Sequence, residues 1–261
     1  MDNMNIHVKE FDIKKIADSG QAFRIVEESP GIWRTVASGR VLRIDESAPH
    51  IPEGFWSDYF DMETDYSLYR AAIPKQDEFL TKAAQAGEGI RILRQDPWEM
   101  LITFIISQRK NIPAIRSAVE ALCRLCGSEI EGEDVRAFPS PEQLCSASEE
   151  ALRACSLGYR VPYIMKSARM VAEAVVDLEL CRELSDEELF DELLKFPGVG
   201  PKVANCVSLF GYYRIAAFPV DVWIARIIDQ EYGGNFPLQL YEGFGGIIQQ
   251  YMFYYGRFRD E

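Results

Sequence analysis

The sequence predicts an α+β protein that is mostly helical, with a small N-terminal antiparallel β-sheet packed on a helical body. Residues 1–45 contain short β-branched and aromatic segments separated by turn residues, a pattern typical of hairpins. From about residue 57 onward, apolar residues recur at helical spacing behind capping residues, a pattern typical of packed helices. We therefore expect an N-terminal region, 1–88, and a helical region, 89–261, whose last helix packs back toward the first region.

Four short strands are predicted in the N-terminal region. They are Asn5–Val8, Ala22–Glu27, Ile32–Ala37 and Val41–Ile44. Gly20 lies in the turn that leads into the second of these strands, where a residue without a β-carbon adopts unusual backbone angles easily. From these residues alone, Gly20 is interpreted only as part of a hairpin turn.

The helical region is predicted to be built around the helix that begins at Pro97. Asp96 is a capping residue, Pro97 suits the first helical position, and Glu99 follows the cap by three residues. The apolar run that continues to about residue 108 indicates the centre of the core. The other main helices are predicted at Phe60–Ala72, Gln76–Ala86, Ile112–Leu125, Tyr163–Leu178, on both sides of residues 197–200, from Asp221 to about Tyr232, and at Leu238–Tyr255.

The net charge of −13 argues mildly against a nucleic-acid partner, because binding to phosphates depends on Lys and Arg. The distribution of charge matters more than the sum. Residues 151–172 contain four cations and no acid, whereas acidic residues concentrate in 129–134 and 183–192. A local basic face on an acidic body is compatible with this pattern.

The six cysteines follow no disulfide-scaffold spacing, and the N-terminus carries no secretion signal or long apolar run. We expect free thiols and a reducing, cytoplasmic location, associated with the nucleoid in a bacterium. Cys123 and Cys126 form a Cys-x-x-Cys pair, which is a redox or zinc pair or, more simply, one turn of a helix. With only His7 and His50 in the chain, histidine catalysis and a metal site are not expected.

The Pro-Gly-Val-Gly turn at residues 197–200 is the main candidate site. Its glycines allow close backbone approach, and the amides that begin the next helix form an anion site, for which phosphate is the usual ligand. Lys202 lies in the first turn of that helix, where the helix dipole disfavours the ammonium and favours a nucleophilic neutral amine. Asp221 is placed to cap a further helix. The alternative is an ordinary helical hairpin whose Lys202 points to solvent.

Three further groups each have two interpretations. The cationic turn at residues 108–111 is either solvated or in contact with a ligand. Tyr159 and Arg160 lie in a turn that we expect to be exposed, within the acid-free segment, and suit stacking into unpaired bases. Gln249 and Phe253 lie at i and i+4 on one helix face, which suits sandwiching and hydrogen-bonding a base, although most aromatic residues of that helix are expected in the core.

In chain order these segments resemble an 8-oxoguanine DNA glycosylase/lyase of the helix-hairpin-helix superfamily. The resemblance spans most of the chain, and the ordered set is more specific than any single motif. The matching segments are SGQAFR, QDPWEMLITFIIS, LGYR, FPGVGPKVANC, FPVDVW and IIQQYMF. The resemblance implies a monomeric enzyme that excises an oxidised purine from double-stranded DNA and cleaves the strand by β-elimination. It implies no metal or organic cofactor and no membrane partner.

The resemblance also implies residue roles. Lys202 is expected to be the nucleophile that forms a Schiff base, and Asp221 the essential carboxylate. The Gly20 carbonyl is expected to accept the N7 hydrogen that 8-oxoguanine has and guanine lacks. The residues expected to line the base pocket are Gly20, Cys206, Pro219, Gln249 and Phe253. The residues expected to contact DNA are Arg109, Asn111, Tyr159 and Arg160, together with the amides of Gly198, Gly200 and Val203.

Three positions depart from the pattern of the family's animal members. Those carry Asn in place of Arg109, Arg in place of Ala114, and His in place of Trp223. One of two arginines that read the opposite cytosine is therefore missing. We hypothesise that this protein depends less on which base lies opposite the lesion. The histidine that contacts phosphate in the family pattern is replaced by Trp223 here.

Other functions fit parts of the sequence. A glycosylase for an oxidised pyrimidine or an alkylated purine is one alternative. A non-catalytic helix-hairpin-helix module that grips the DNA backbone is another, and it needs the turn but has no use for Lys202 and Asp221. A protein–protein scaffold, suggested by the acidic surface, is a third.

Overall fold

The computed structural model describes residues 10–259 and confirms the predicted α+β architecture, mostly helical with one small sheet. The sheet is antiparallel with its strands in sequence order. Its strands are β1 (Ile25–Ser29), β2 (Ile32–Ala37) and β3 (Arg40–Asp45). Trp33 is opposite Glu27 on one side and Ile44 on the other, which sets the register of the sheet. The predicted strand Asn5–Val8 lies outside the described residues.

A short helix, α1 (Ile13–Asp18), precedes the sheet and was not predicted from the sequence. Asp12 caps it by accepting a hydrogen bond from the Lys15 backbone N–H at 2.9 Å. Strand β1 begins three residues later than predicted because Ala22 and Phe23 turn into the core, where Phe23 packs edge-on against Phe104. The segment between α1 and β1 is therefore fixed by the capped helix before it and by the packing of Phe23 at its end.

The helical body follows the sheet. Its helices within residues 10–259 are α2 (Phe55–Tyr59), α3 (Tyr66–Ala71), α4 (Glu78–Ala86), α5 (Pro97–Ser107), α6 (Ile112–Cys126), α7 (Pro141–Cys145), α8 (Glu149–Ala154), α9 (Val161–Ala172), α10 (Asp186–Leu194), α11 (Pro201–Gly211), α12 (Val222–Tyr232) and α13 (Gly245–Phe258). Short 3₁₀ segments occur at Gly158–Arg160, Leu180–Glu183 and Leu238–Tyr241. The six cysteines carry free thiols.

Helix α5 is the centre of the helical core, as predicted. All of its residues are buried, and it packs against α6, α9 and α11. Asp96 caps it, since the Glu99 backbone N–H donates to Asp96 Oδ1 at 2.8 Å. A continuous apolar helix with a strong start signal was therefore sufficient to identify the element on which the body is built.

The predicted helix Phe60–Ala72 is wrong in its first half, because the chain turns sharply at Asp61 and becomes helical again only at Tyr66. This residue has a positive φ of 53° and a buried carboxylate that accepts hydrogen bonds from the hydroxyls of Tyr66 and Tyr213. Arg94 pairs with the same carboxylate at 2.8 Å. A buried acid whose partners include the distant Arg94 and Tyr213 thus separates α2 from α3, which helical periodicity does not reveal.

Two other helices differ from prediction at their ends. Helix α9 stops at Ala172 rather than Leu178, because Ala174 has a positive φ of 53° and the chain leaves the helical path there. Helix α13 begins at Gly245 rather than Leu238, since Gly243 also has a positive φ, of 85°, which breaks the helix after a 3₁₀ turn. The added turn at its C-terminus carries the helix to Phe258.

The two apolar cores of the molecule meet at the segment after residue 88. The sheet packs with α1 and α2 around Trp33, Ile44 and Phe60, whereas α3 and α4 pack into the core of the helical body. Helix α13 packs against α4. The boundary at residue 88 stays a prediction. Within residues 10–259 no helix is both long and apolar enough to cross a bilayer.

Candidate active site

A cavity of about 860 Å³ opens between the segment before β1, the start of α6, and helices α11, α12 and α13. The structure brings to its wall every residue that the sequence suggested for catalysis or base binding. These are Gly20, Lys202, Cys206, Pro219, Asp221, Gln249 and Phe253. Two of the suggested DNA contacts, Arg109 and Asn111, also lie on it, whereas Tyr159, Arg160, Gly198, Gly200 and Val203 lie elsewhere.

Lys202 lies in the first turn of α11 with its ammonium nitrogen 5.2 Å from the centre of the Phe104 ring. Cys206, one turn later on the same face, is buried, and burial raises the pKa of its thiol while the nearby Lys202 charge opposes that rise. Among residues 10–259 no carboxylate is within salt-bridge distance of Lys202. The amine is therefore held against an aromatic ring and a neutral thiol rather than neutralised by an acid.

Asp221 caps α12, as predicted from the sequence. Its Oδ1 accepts hydrogen bonds from the backbone N–H groups of Trp223 at 3.0 Å and Ile224 at 2.9 Å. These bonds and the positive end of the helix dipole stabilise a carboxylate at this point of the cavity wall. The site thus combines an amine that has no carboxylate partner among residues 10–259 with a fixed negative charge.

Gly20 lies on the cavity wall beside Phe253 and needs to be glycine for two reasons. Its φ is +75°, and a β-carbon built on it would lie 2.9 Å from Cε1 of Phe253. The unusual backbone expected for Gly20 is confirmed, but the residue does more than form a hairpin turn, because it allows the backbone to touch a pocket ring. Within residues 10–259 the Gly20 carbonyl accepts no hydrogen bond.

The cavity wall is cationic although the chain is acidic. It carries Arg109, Lys110, Lys202 and Arg257 but a single carboxylate, that of Asp221. Burial, and next the charge of Arg160, lower the pKa of Lys110, as expected where cations gather. A local cationic surface therefore exists at the cavity, but its cations come from other segments than residues 151–172, where Arg153 pairs with Glu149 and Arg160 is buried.

Arg109 and Asn111 form the edge of the cavity at the α5–α6 turn. Arg109 is exposed and has a positive φ of 53°, which is uncommon for a long side chain and marks local strain. Asn111 caps α6 by accepting from the Ala114 backbone N–H at 3.0 Å. The oxygen of Asn111 therefore has a structural task, whereas the Arg109 guanidinium is available to a ligand.

The turn at residues 197–200 lies beside the cavity and leaves the start of α11 without a side-chain cap. Gly198 has a φ of +78°, and a β-carbon there would overlap the ring of Tyr163. No atom lies within 4 Å of a β-carbon built on Gly200, so that side of the turn is open. Gln108 Nε2 donates to the Gly198 carbonyl at 3.1 Å and ties the turn to the cavity edge.

Arg160 corrects one prediction, since we expected an exposed turn at Tyr159 and Arg160. Tyr159 is 50% exposed, but Arg160 is only 5% exposed. The Arg160 guanidinium lies 4.4 Å from the Tyr159 ring centre and donates to the Leu157 carbonyl at 3.2 Å. Stacking under an aromatic ring in a 3₁₀ turn buries the side chain, which sequence spacing does not show.

Several cavity residues were missed or given another task by sequence reasoning. Phe104 was assigned to the core, Trp223 was noted only as a departure from the family pattern, and Gln250 and Arg257 were not singled out. Arg257 lies one turn after Phe253, and its guanidinium is 5.6 Å from that ring. Helical spacing from Phe253 was the signal that would have found Arg257.

Comparison with known proteins finds matches along most of the chain. Residues 3–101 match the N-terminal domain of 8-oxoguanine DNA glycosylase, and residues 102–235 match the HhH-GPD superfamily of base excision DNA repair proteins. An N-glycosylase/DNA lyase of Saccharomyces cerevisiae is 34% identical over 74% of this chain, which spans 50% of the yeast protein.

Two solved structures are similar over nearly their full lengths. MBOgg1 in complex with a low affinity DNA ligand has a TM-score of 0.90 and 35% identity, covering 98% of this chain and 95% of that one. The 8-oxoguanine glycosylase/lyase of Clostridium acetobutylicum, bound to double-stranded DNA with cytosine opposite 8-oxoG, has a TM-score of 0.88 and 32% identity, covering 97% and 94%. The chain therefore belongs to the HhH-GPD superfamily of base excision DNA repair proteins and carries the N-terminal domain of the 8-oxoguanine DNA glycosylases.

Proposed function

We propose that this protein is a bifunctional glycosylase and lyase that removes 8-oxoguanine from double-stranded DNA. The observation that supports it most is a single cavity whose wall carries two sets of residues, which we call its sugar end and its base end. One end carries the amine of Lys202 and the carboxylate of Asp221, and the other carries Gly20, Gln249 and Phe253. Such a cavity suits a nucleotide flipped out of the duplex, with its sugar at the first end and its base at the second.

The base end suits an oxidised guanine. Phe253 offers a flat ring for stacking, and the Gly20 carbonyl offers an acceptor close beside it. At position 7, 8-oxoguanine has an N–H donor, whereas guanine has an acceptor that would face the carbonyl unpaired. An unsatisfied buried pair of this kind costs about 1–3 kcal/mol, which favours the lesion.

The sugar end suits nucleophilic displacement. The neutral amine of Lys202 would attack C1′, a C–N bond would form, and the glycosidic bond would break with its electron pair leaving on the base. The fixed carboxylate of Asp221 would favour the positive charge that develops on the sugar. Loss of the amine's protons and opening of the ring would give an imine, from which loss of a C2′ proton expels the 3′ phosphate and cleaves the strand.

The surface around the cavity suits double-stranded DNA bound to a monomer. The uncapped start of α11, with the amides of Gly198, Gly200 and Val203, would bind a phosphate next to the lesion. Arg109 and Tyr159 are exposed and would enter the gap left by the flipped base, with Arg160 behind Tyr159. The cations of the cavity wall supply the attraction that the net charge of the chain opposes.

A panel of lesions with borohydride in the reaction tests the proposal. Duplexes with 8-oxoguanine, guanine, an oxidised pyrimidine or an alkylated purine are incubated with the protein, and strand cleavage and covalent adducts are measured. We expect cleavage and a reduced protein–DNA adduct with 8-oxoguanine only. Preference for another lesion would favour a glycosylase of different specificity, and binding without an adduct on any duplex would favour a non-catalytic module.

A further inference from the structure

A chain of buried amide side chains lies behind the base end of the cavity and is not explained by catalysis. It links Gln21, after the turn of Gly20, to Gln250 and Gln249 on α13. The three side chains are at most 4% exposed. An amide side chain has a donor end, its NH₂ group, and an acceptor end, its oxygen. A buried amide presents to a ligand whichever end is not already hydrogen-bonded to its neighbours.

The orientation of this series of amide side chains is fixed at Gln21. Its Oε1 accepts from the backbone N–H of Leu93 at 2.9 Å, so its Nε2 must point the other way. That nitrogen donates to the Arg91 carbonyl and to the Ser19 hydroxyl, both at 2.9 Å. Ser19 in turn donates to the Ile16 carbonyl at 2.8 Å, which leaves its oxygen to accept. Backbone groups therefore decide which end of Gln21 is the donor.

This orientation is passed on along α13. Gln21 Nε2 has two hydrogens for three acceptors, so the contact with Gln250 Oε1 at 3.3 Å is a shared and weaker bond than those at 2.9 Å. An amino group at this point still favours the oxygen of Gln250 over its nitrogen, and Gln250 Nε2 faces Gln249, where it donates to Oε1 at 3.0 Å. One lone pair of Gln249 Oε1 is thereby occupied. Among residues 10–259 no acceptor receives Gln249 Nε2, and Gln249 lies on the cavity wall. The donor end of Gln249 is thus left for a ligand.

We propose that Gln250 is a positioning residue that holds the Gln249 amide in one of its two flipped states and so sets base specificity. This rests on the proposed function. In the held state Gln249 offers N–H groups, which fit the oxygen at position 6 of an oxo-purine, and its remaining lone pair fits the neighbouring N1–H. A 6-amino-purine presents the reverse pattern and leaves these groups unpaired.

Gln95 provides a matched control. It is also buried, and its Nε2 donates to the backbone carbonyl of Gln21 at 3.0 Å. Replacing it removes a hydrogen bond between a buried amide and Gln21. The hydrogen bonds from Gln21 to Gln250 and from Gln250 to Gln249 remain. The variants Gln250→Met and Gln95→Met therefore differ in the contact that the proposal invokes.

The experiment measures single-turnover excision of 8-oxoguanine and 8-oxoadenine, and strand cleavage at a preformed abasic site. For Gln250→Met we expect the rate of 8-oxoguanine excision to fall about tenfold. The ratio of the 8-oxoguanine rate to the 8-oxoadenine rate should move closer to one. Cleavage at the abasic site, which has no base to recognise, should be unchanged. Gln95→Met should keep the wild-type ratio.

A second variant tests the direction of the effect. In Gln250→Glu the carboxylate still accepts from Gln21 but has no N–H for Gln249, so Gln249 should flip and turn its oxygen to the cavity. The preference should then shift toward 8-oxoadenine. The inference is overturned if both Gln250 variants keep the wild-type ratio, or if Gln95→Met changes it equally. A wild-type protein that excises neither base would instead overturn the proposed function.

Discussion

The two ends of the cavity are built in different ways. Lys202 and Asp221 come from consecutive helices, α11 and α12, within one short stretch of sequence. The base end joins the segment after α1 to the last helix, and the hydrogen bond between Gln21 and Gln250 spans 229 residues. Chemistry is thus encoded locally, whereas recognition is assembled by the whole fold. Changes at the two ends should separate reaction from substrate choice.

The largest effect is expected at Lys202. Replacing it with Gln removes the only proposed nucleophile, so excision should fall by about 10³-fold or more and the borohydride adduct should disappear. Lys195→Gln, at an exposed residue paired with Glu192 on the preceding helix, is the control and should keep full activity. A trapped adduct that survives in Lys202→Gln would show that another amine reacts.

Asp221→Asn tests the charge at the same end without removing the helix cap. Asn caps about as well as Asp, so the free energy of unfolding should change by about 0.5 kcal/mol or less. Excision should fall about 10²-fold because the developing positive charge is no longer balanced. Asp12→Asn, at the cap of α1 away from the cavity, should leave excision unchanged. Equal effects of the two changes in single-turnover assays would argue against the role of Asp221.

Gly20→Ala tests the recognition end alone. The new β-carbon meets the Phe253 ring and occupies a backbone conformation with φ +75°, which costs about 1 kcal/mol. Excision of 8-oxoguanine should fall at least about tenfold, since a small misplacement of bound groups is costly. Strand cleavage at a preformed abasic site should persist. Equal loss of both activities would mean that the two ends are not separable.

The buried carboxyl group of Glu99, on α5, should make the free energy of unfolding depend on pH. Burial, opposed by Arg24 and reinforced by Asp96 and Glu120, raises the pKa of Glu99 to about 7. This pKa lies above the value of about 4.3 that the group has in the unfolded chain. The stability that protonated Glu99 contributes is therefore complete below a pH of about 4.3 and is lost as the pH rises through 7.

Glu99→Gln removes the titrating group, so the variant should gain stability over wild type between pH 5 and pH 8, by on the order of 3 kcal/mol or less. Urea unfolding at both pH values measures this difference. Glu187→Gln, on the exposed surface of α10, should show no such gain. A difference that does not change with pH would contradict the assigned cause.

The smallest effect concerns the opposite strand. With Ala114 in place of an arginine, excision of 8-oxoguanine opposite adenine should be within about tenfold of excision opposite cytosine. Ala114→Arg should widen this ratio in favour of cytosine. Single-turnover rates opposite each of the four bases measure both. A wild-type preference for cytosine of several orders of magnitude would sink the hypothesis.

Features that depend on neighbours along the chain could be predicted from the sequence, whereas features that depend on distant partners could not. The caps at Asp96 and Asp221 and the placement of Lys202 depend on neighbours along the chain, so spacing alone predicted them. The turn at Asp61 and the burial of Arg160 depend on partners that only the fold brings near. The task of Gln250 was missed for this reason, because its partner Gln21 lies at the other end of the chain.

The most direct test of the proposed chemistry identifies the amine that reacts. The protein is incubated with an 8-oxoguanine duplex and borohydride, the adduct is digested, and the peptide that carries the reduced sugar is identified by mass spectrometry. We expect a single modified site, at Lys202. Modification of another lysine, or of the N-terminal amine, would contradict it.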